Sequence, residues 1–237
     1  PLFRSSAASD VYKRQDGPYP AVIFLHGGMR GKKLAELKAS AIGNPTHTRF
    51  LAEGFVSVSA TFRHYMDDPQ SRGPILDALA IVEATKELPE VDPEKVVVFG
   101  GSGGGNIALE LASLPEAGLC AAIAGEPASV LYTGILTDNA DRTASMTDSV
   151  GLYTPALRAA TEAKIAAIHC PILIHHGDIH PLKHVNFEIL IPALEEAGKE
   201  VTVERYPGEN HGFYWGNGTT QDVVERVVSS SLEFLAP

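Results

Sequence analysis

The chain has 237 residues, 44% hydrophobic and 20% charged, with a formal net charge of −10. That suits one large domain with a sizeable core, and the acidic balance argues against a nucleic-acid or anionic-membrane partner. No apolar run approaches the length that spans a bilayer, and the two cysteines, Cys120 and Cys170, form neither a metal-ligand spacing nor a disulfide framework.

Leu2 to Gln15 has no hydrophobic periodicity. It resembles the translated end of a sequencing adapter, so residues 1–15 are expected to be non-native and free of contacts with the core. The domain is then expected over 16–237, its first strands truncated. A soluble chain follows, with the cytoplasm the favoured compartment. After Pro18 and Pro20 comes Ala21-Val22-Ile23-Phe24-Leu25-His26, an apolar run of strand length, and Gly27-Gly28 follows at once. Pro45 to Glu53 reads as a helix closed by Gly54. Phe55 to Ala60 is the next strand, 61–72 a polar loop, and Pro74 to Leu88 a helix with Ile75, Leu79 and Val82 at helical spacing.

Val96-Val97-Val98-Phe99 then runs into Gly100-Gly101-Ser102-Gly103-Gly104-Gly105 and a further helix. Gly100-x-Ser102-x-Gly104 fits a nucleophile elbow, a serine on a sharp strand-to-helix turn. Such a turn strains the serine backbone and presses strand against helix, so its neighbours must lack a Cβ. A phosphate-cradling loop fits less well, because the third glycine of the dinucleotide fingerprint and the Gly-Lys-Ser/Thr of a P-loop are missing.

Leu119 to Ala124 is another strand, ending in Gly125-Glu126-Pro127. Residues 128–168 break the rhythm and read as a lid-like insertion with a helix after Thr154-Pro155. Pro171 to His176 is a strand, Asn186 to Ala197 a helix, Val201 to Tyr206 the last strand and Thr220 to Leu235 the last helix. Apolar strands alternating with helices predict an α/β fold, a doubly wound, mostly parallel sheet with helices on both faces. Its site belongs at the carboxyl ends of the strands. Both cysteines start interior strands and are expected to be reduced and buried.

A serine nucleophile needs a base, and the base needs an orienting acid. His211, in Asn210-His211-Gly212-Phe213 past the last strand, is placed for the base. From Pro20 to Leu235 the chain resembles the α/β-hydrolase superfamily, and within it the prolyl oligopeptidase and dienelactone hydrolase branches and their esterase relatives. The matching stretches are His26-Gly27-Gly28, Val91 to Lys95, Gly100 to Gly104, Pro171 to Gly177 and Tyr206 to Phe213. The resemblance implies Ser102 as nucleophile, His211 as base, and an oxyanion hole from the N–H of Gly103 with Gly27 or Gly28. It implies a serine hydrolase of small esters acting through an acyl-enzyme. A peptidase acting on short peptides and a silent binding protein are the alternatives, and no cofactor or metal is expected.

The acid departs from the pattern. The run His176-Gly177-Asp178-Ile179-His180 puts His180 where relatives carry the acid, with Asp178 two residues early. Asp178 is the favoured acid and Glu126 the alternative. His26 is expected to hydrogen-bond locally, and His175 and His176 to face opposite sides of the sheet. Phe213, Trp215, Tyr132 and Tyr153 are candidates for the substrate pocket.

Overall fold

The computed structural model of the chain describes residues 3–4, 17–28, 31–63, 72–136 and 141–236. The strands are β1 (Phe3–Arg4), β2 (Tyr19–Leu25), β3 (Val56–Ala60), β4 (Val91–Gly101), β5 (Ala121–Gly125), β6 (Ile172–Gly177) and β7 (Val201–Tyr206), in the spatial order β1-β3-β2-β4-β5-β6-β7. From β2 onward every pairing is parallel, and β4, which leads into Ser102, is central. The parallel sheet expected from the apolar strands is therefore found. The two residues of β1 pair antiparallel with β3 at one edge. They fall inside the 1–15 segment, so the expectation that this segment makes no contact with the core fails at these two residues; its other residues, and 64–71 of the polar loop, lie outside the described ones.

Alternation along the strands feeds two cores. Ile23, Leu25, Val96 and Val98 pack on one face with Ile107 and Leu111, whereas Val22, Phe24, Val97 and Phe99 pack on the other with Val227 and Val228. Helices on both faces explain the absence of polar alternation in the strands. They are α1 (Leu34–Gly43), α2 (Pro45–Ala52), α3 (Gly73–Lys86), α4 (Gly103–Ala112), α5 (Ser129–Tyr132), α6 (Arg142–Thr147), α7 (Ser149–Leu152), α8 (Pro155–Ala166), α9 (Leu182–Val185), α10 (Ile191–Glu196) and α11 (Gln221–Phe234). Asn44 caps α2 through its side chain, Thr154 caps α8 and Thr220 caps α11.

Two stretches differ from the sequence reading. Helix α1 was not expected, because it buries only Leu37 and Ala41, one turn apart. Its start is fixed locally, with Glu36 Oε2 accepting the Lys33 N–H at 2.7 Å. The helix expected from Asn186 begins earlier, at α9, and runs through a π-helical turn at Asn186–Leu190 into α10. Residues 129–166 add α5 to α8, and Val130 and Ile135 pack on Leu182, Val185 and Ile189 in a small third core.

Cys170 is buried, but Cys120 is exposed, and both are free thiols. Cys120 stands one residue before β5, at the strand's outer end, which is why it misses the core. Native protein is expected to react at one thiol with Ellman's reagent, and denatured protein at two. Two reactive thiols in the native protein would place Cys170 at the surface.

His175 lies wholly buried on the α11 side of β6, between the Tyr206 hydroxyl at 3.0 Å and Ser231 Oγ at 2.8 Å. Burial pulls its pKa from 6.5 to about 3, and burial does the same to His47. The unfolded chain therefore binds protons between pH 6.5 and about 3 that the native chain does not. Stability is full above pH 6.5 and falls as pH drops through that window, by on the order of a few kcal/mol. A His175→Gln variant is expected to show a shallower loss of Tm from pH 7 to pH 4. An unchanged slope would show that His175 does not titrate on unfolding.

Candidate active site

Ser102 joins β4 to α4 at φ 55°, ψ −116°, a region that residues with a Cβ seldom occupy. The turn is held because the Ser102 N–H donates to Gly125 O at 2.9 Å, while Ser102 O accepts from Asn106 and Ala128. The neighbouring glycines are required sterically. A Cβ on Gly100 would overlap the Gly104 carbonyl, and one on Gly104 would overlap Leu25 O. Gly27 rests against the serine, since its Cβ would stand 3.2 Å from Ser102 Cβ. Gly28 has φ 83°, open only to glycine at low cost. Ser102, Gly103, Gly27 and Gly28 all line one cavity.

His211 sits in the loop after β7, and the carboxylate it meets belongs to Glu126. Nδ1 is 2.9 Å from Glu126 Oε2, and the Gly212 N–H donates to the same oxygen at 3.3 Å. Nδ1 makes no aligned hydrogen bond. The two atoms stand at the separation of a bonded pair, without the alignment of one. Glu126 is fully buried and held at φ 39°, a strained value for a side chain of its size. Its N–H donates to His175 O at 2.8 Å, which fixes the turn beyond β5.

Asp178, the favoured acid from sequence, is not at His211. It is exposed, and its Oδ1 accepts the Gly208 N–H at 2.8 Å, tying β6 to the turn after β7. The slot where the resemblance implies an acid holds His180, whose ring stacks on His211 with centroids 4.3 Å apart and planes at 26°. His180 Nδ1 accepts the Leu182 N–H at 3.3 Å. Burial first, and the neighbouring His211 second, lower its pKa, which favours the neutral ring.

Two other histidines brace the site. The Lys32 N–H donates to Thr61 Oγ1 at 2.7 Å, Thr61 stands 3.2 Å from His26 Nε2, and His26 Nδ1 stands 2.9 Å from Gly27 O. That relay holds the Gly27–Gly28 loop, so the local hydrogen bond expected of His26 also positions the loop. His176 faces away from His175, as strand alternation requires. Asn186 Nδ2 donates to His176 Nε2 at 2.9 Å and to Pro127 O at 3.0 Å, and Ser129 Oγ donates to Asn186 Oδ1 at 2.5 Å. This network pins the chain just after Glu126.

The cavity over Ser102 encloses about 690 Å³. Ala128, Val130, Leu131, Leu136, Met146 and Leu182 give it apolar walls, with Lys32, Arg142 and His180 beside them. Most of these walls come from the 128–168 insertion. A second cavity of about 400 Å³ adjoins it, sharing Gly27 and Lys32, with His211, Tyr214 and Trp215 in its wall. Of the four pocket candidates from sequence, only Trp215 lines either of these cavities. Phe213 and Tyr132 are fully buried in the cores, and the Tyr132 hydroxyl is 2.8 Å from Ser113 Oγ. Tyr153 packs on the insertion's own core under Arg158. Large aromatics gain more by full burial than by walling a wet cavity. Tyr214 does both: it borders the smaller cavity, while its ring fills the space that a Cβ on Gly101 or Gly125 would take, and burial holds its hydroxyl pKa well above the usual value.

The model of the dienelactone hydrolase family matches residues 8–236, starting inside the 1–15 segment. Among solved structures, esterase 2 of Thermogutta terrifontis phosphonylated by sarin superposes with a TM-score of 0.72 at 20% identity, covering 99% of this chain and 87% of that one. The same enzyme with butyrate bound gives 0.67 at 22% identity, over 99% and 87%. A non-reducing polyketide synthase of Acremonium egyptiacum is 34% identical over 125 residues, 47% of this chain and 6% of that protein. A second one, from Stereocaulon alpinum, is 35% identical over 103 residues, 39% of this chain and 4% of its own length. The chain thus spans only a small fraction of these two relatives.

Proposed function

The chain belongs to the dienelactone hydrolase family, and from that premise we propose that it is a serine hydrolase cleaving small carboxylic esters through an acyl-enzyme. The observation that carries the reading is Ser102 on a strained turn, opening on the same cavity as Gly27 and Gly28, with His211, backed by a buried carboxylate, in the adjoining cavity that shares Gly27. Ser102 Oγ attacks the ester carbonyl and gives its proton to His211. Glu126 holds the imidazole tautomer and stabilises the imidazolium. The N–H groups of Gly103 and of Gly27 or Gly28 receive the oxyanion, aided by the N-terminus of α4. His211 then protonates the leaving oxygen, and water repeats the sequence to free the acid. The altered acid slot favours a silent binding protein, and the Glu126 carboxylate, 2.9 Å from His211 Nδ1, supports the hydrolase reading against it.

The esterase that superposes on this chain was solved with butyrate, so p-nitrophenyl butyrate is a suitable first substrate. Incubation with a fluorophosphonate, followed by peptide mass spectrometry, is expected to place one adduct on Ser102 and to abolish turnover. Turnover that survives complete labelling, or no adduct on Ser102, defeats the reading.

A further inference from the structure

The two cavities adjoin at Gly27 and Lys32. Ser102 and Gly103 line the larger one, His211 lines the smaller one, and Gly27 belongs to both. In ester cleavage the departing oxygen must reach the imidazole that protonates it. The alcohol therefore lies on the His211 side and the acyl chain on the other. The two walls differ in chemistry. The acyl side is built of Val130, Leu131, Leu136, Met146 and Leu182. The alcohol side sets Ser40, His47, Ser59 and Asn217 among apolar groups that include Leu37 and Trp215.

Resting on the proposed esterase reading, we propose that the smaller cavity is a subsite for a hydroxyl-bearing alcohol, such as glycerol or a sugar, and that the protein cleaves its esters with short apolar acids. The polar groups of this wall suit uncharged hydroxyls. His47 stacks on Phe24 at 3.8 Å and stands 3.5 Å from Ser59 Oγ, and its burial keeps it neutral. The charges at the rim, Lys32 and Glu36, lie 3.8 Å apart and offset one another, so neither sign of ligand is favoured. Trp215 supplies an aromatic surface for the C–H face of a polyol or sugar, edge-on to His47 at 5.2 Å. An alkyl alcohol there would displace water from these groups without replacing its hydrogen bonds.

The test holds the acyl group constant. Glyceryl monobutyrate and propyl butyrate form the same acyl-enzyme, so their kcat/KM values differ only through the alcohol. Wild-type protein is expected to prefer the glyceryl ester by roughly tenfold or more, the worth of one or two hydrogen bonds. Ser40→Ala with Asn217→Ala is expected to bring the ratio towards one. Met146→Trp, which fills the larger cavity, is expected to lower kcat/KM for hexanoate relative to acetate esters and to leave the glyceryl-to-propyl ratio in place. Equal use of both butyrates by a protein that still labels at Ser102 overturns the subsite and leaves the esterase reading standing. A Met146→Trp protein that changes alcohol preference instead of acyl preference reverses the assignment of the cavities and overturns it too. Absence of both turnover and labelling removes the esterase reading, and the subsite with it.

Discussion

Ser102→Ala is expected to lower kcat on p-nitrophenyl butyrate by about 10⁵- to 10⁶-fold and to remove all fluorophosphonate labelling. No other hydroxyl can take its place, because the position is made by the backbone. The turn at φ 55° aims this one side chain over the end of the central strand, and the glycines around it have nothing to offer. What survives is the rate due to substrate binding and oxyanion stabilisation. Alanine occupies the same backbone conformation at nearly the same strain, so Tm is expected to stay within about two degrees. A variant that keeps more than a hundredth of wild-type kcat would rule out the covalent route. It would leave His211 activating water directly.

The elbow was legible because close packing leaves its mark on the local sequence. A Cβ on Gly100 is excluded by Gly104, four residues on, and one on Gly104 by Leu25 at the end of the neighbouring strand, and both constraints appear as a glycine pattern around one serine. His211 was legible for a similar reason, as a histidine in a turn-rich loop between the last strand and last helix. The acid was harder. Asp178 and Glu126 both follow strands on the same edge of the sheet, and only side-chain direction separates them. Asp178 turns outward to hold Gly208, while Glu126 is turned inward by its positive φ. A sequence carries no plain sign of that φ, although Gly125 before it and Pro127 after it mark a tight turn. The pocket walls were legible only as a region. The 128–168 insertion stood out by its broken rhythm, but which of its side chains face the cavity depends on packing against α9. Periodicity cannot give that for helices of four to six residues. Aromatic character misled for the same reason, since Phe213 and Tyr132 satisfy the cores before the site. Lys32, Arg142, Met146 and His47 had no signal in the sequence beyond their types.

Glu126→Gln is the second large expected effect. Loss of the carboxylate should lower kcat by up to roughly 10⁴-fold, because glutamine can hold the wrong imidazole tautomer and cannot stabilise the imidazolium. Shape is kept, so KM for p-nitrophenyl butyrate should change little, and the protein should still label with fluorophosphonate, only far more slowly. Asp178→Asn should change kcat less than about threefold, since its oxygen still accepts from Gly208. His180→Asp decides between the two geometries. The resemblance implies an acid in that slot, yet here His180 lies stacked on the face of the His211 ring. A carboxylate placed there cannot accept the Nδ1 proton, so Glu126→Gln with His180→Asp should be no more active than Glu126→Gln alone. The double-mutant cycle measures this as a coupling near zero. Recovery of activity in the double variant would show that the loop from Gly177 to Leu182 can swing back to the family's path. A fall of 10⁴-fold in Asp178→Asn with little change in Glu126→Gln would move the acid to Asp178, and the buried carboxylate would then be a brace for the loop that carries His211.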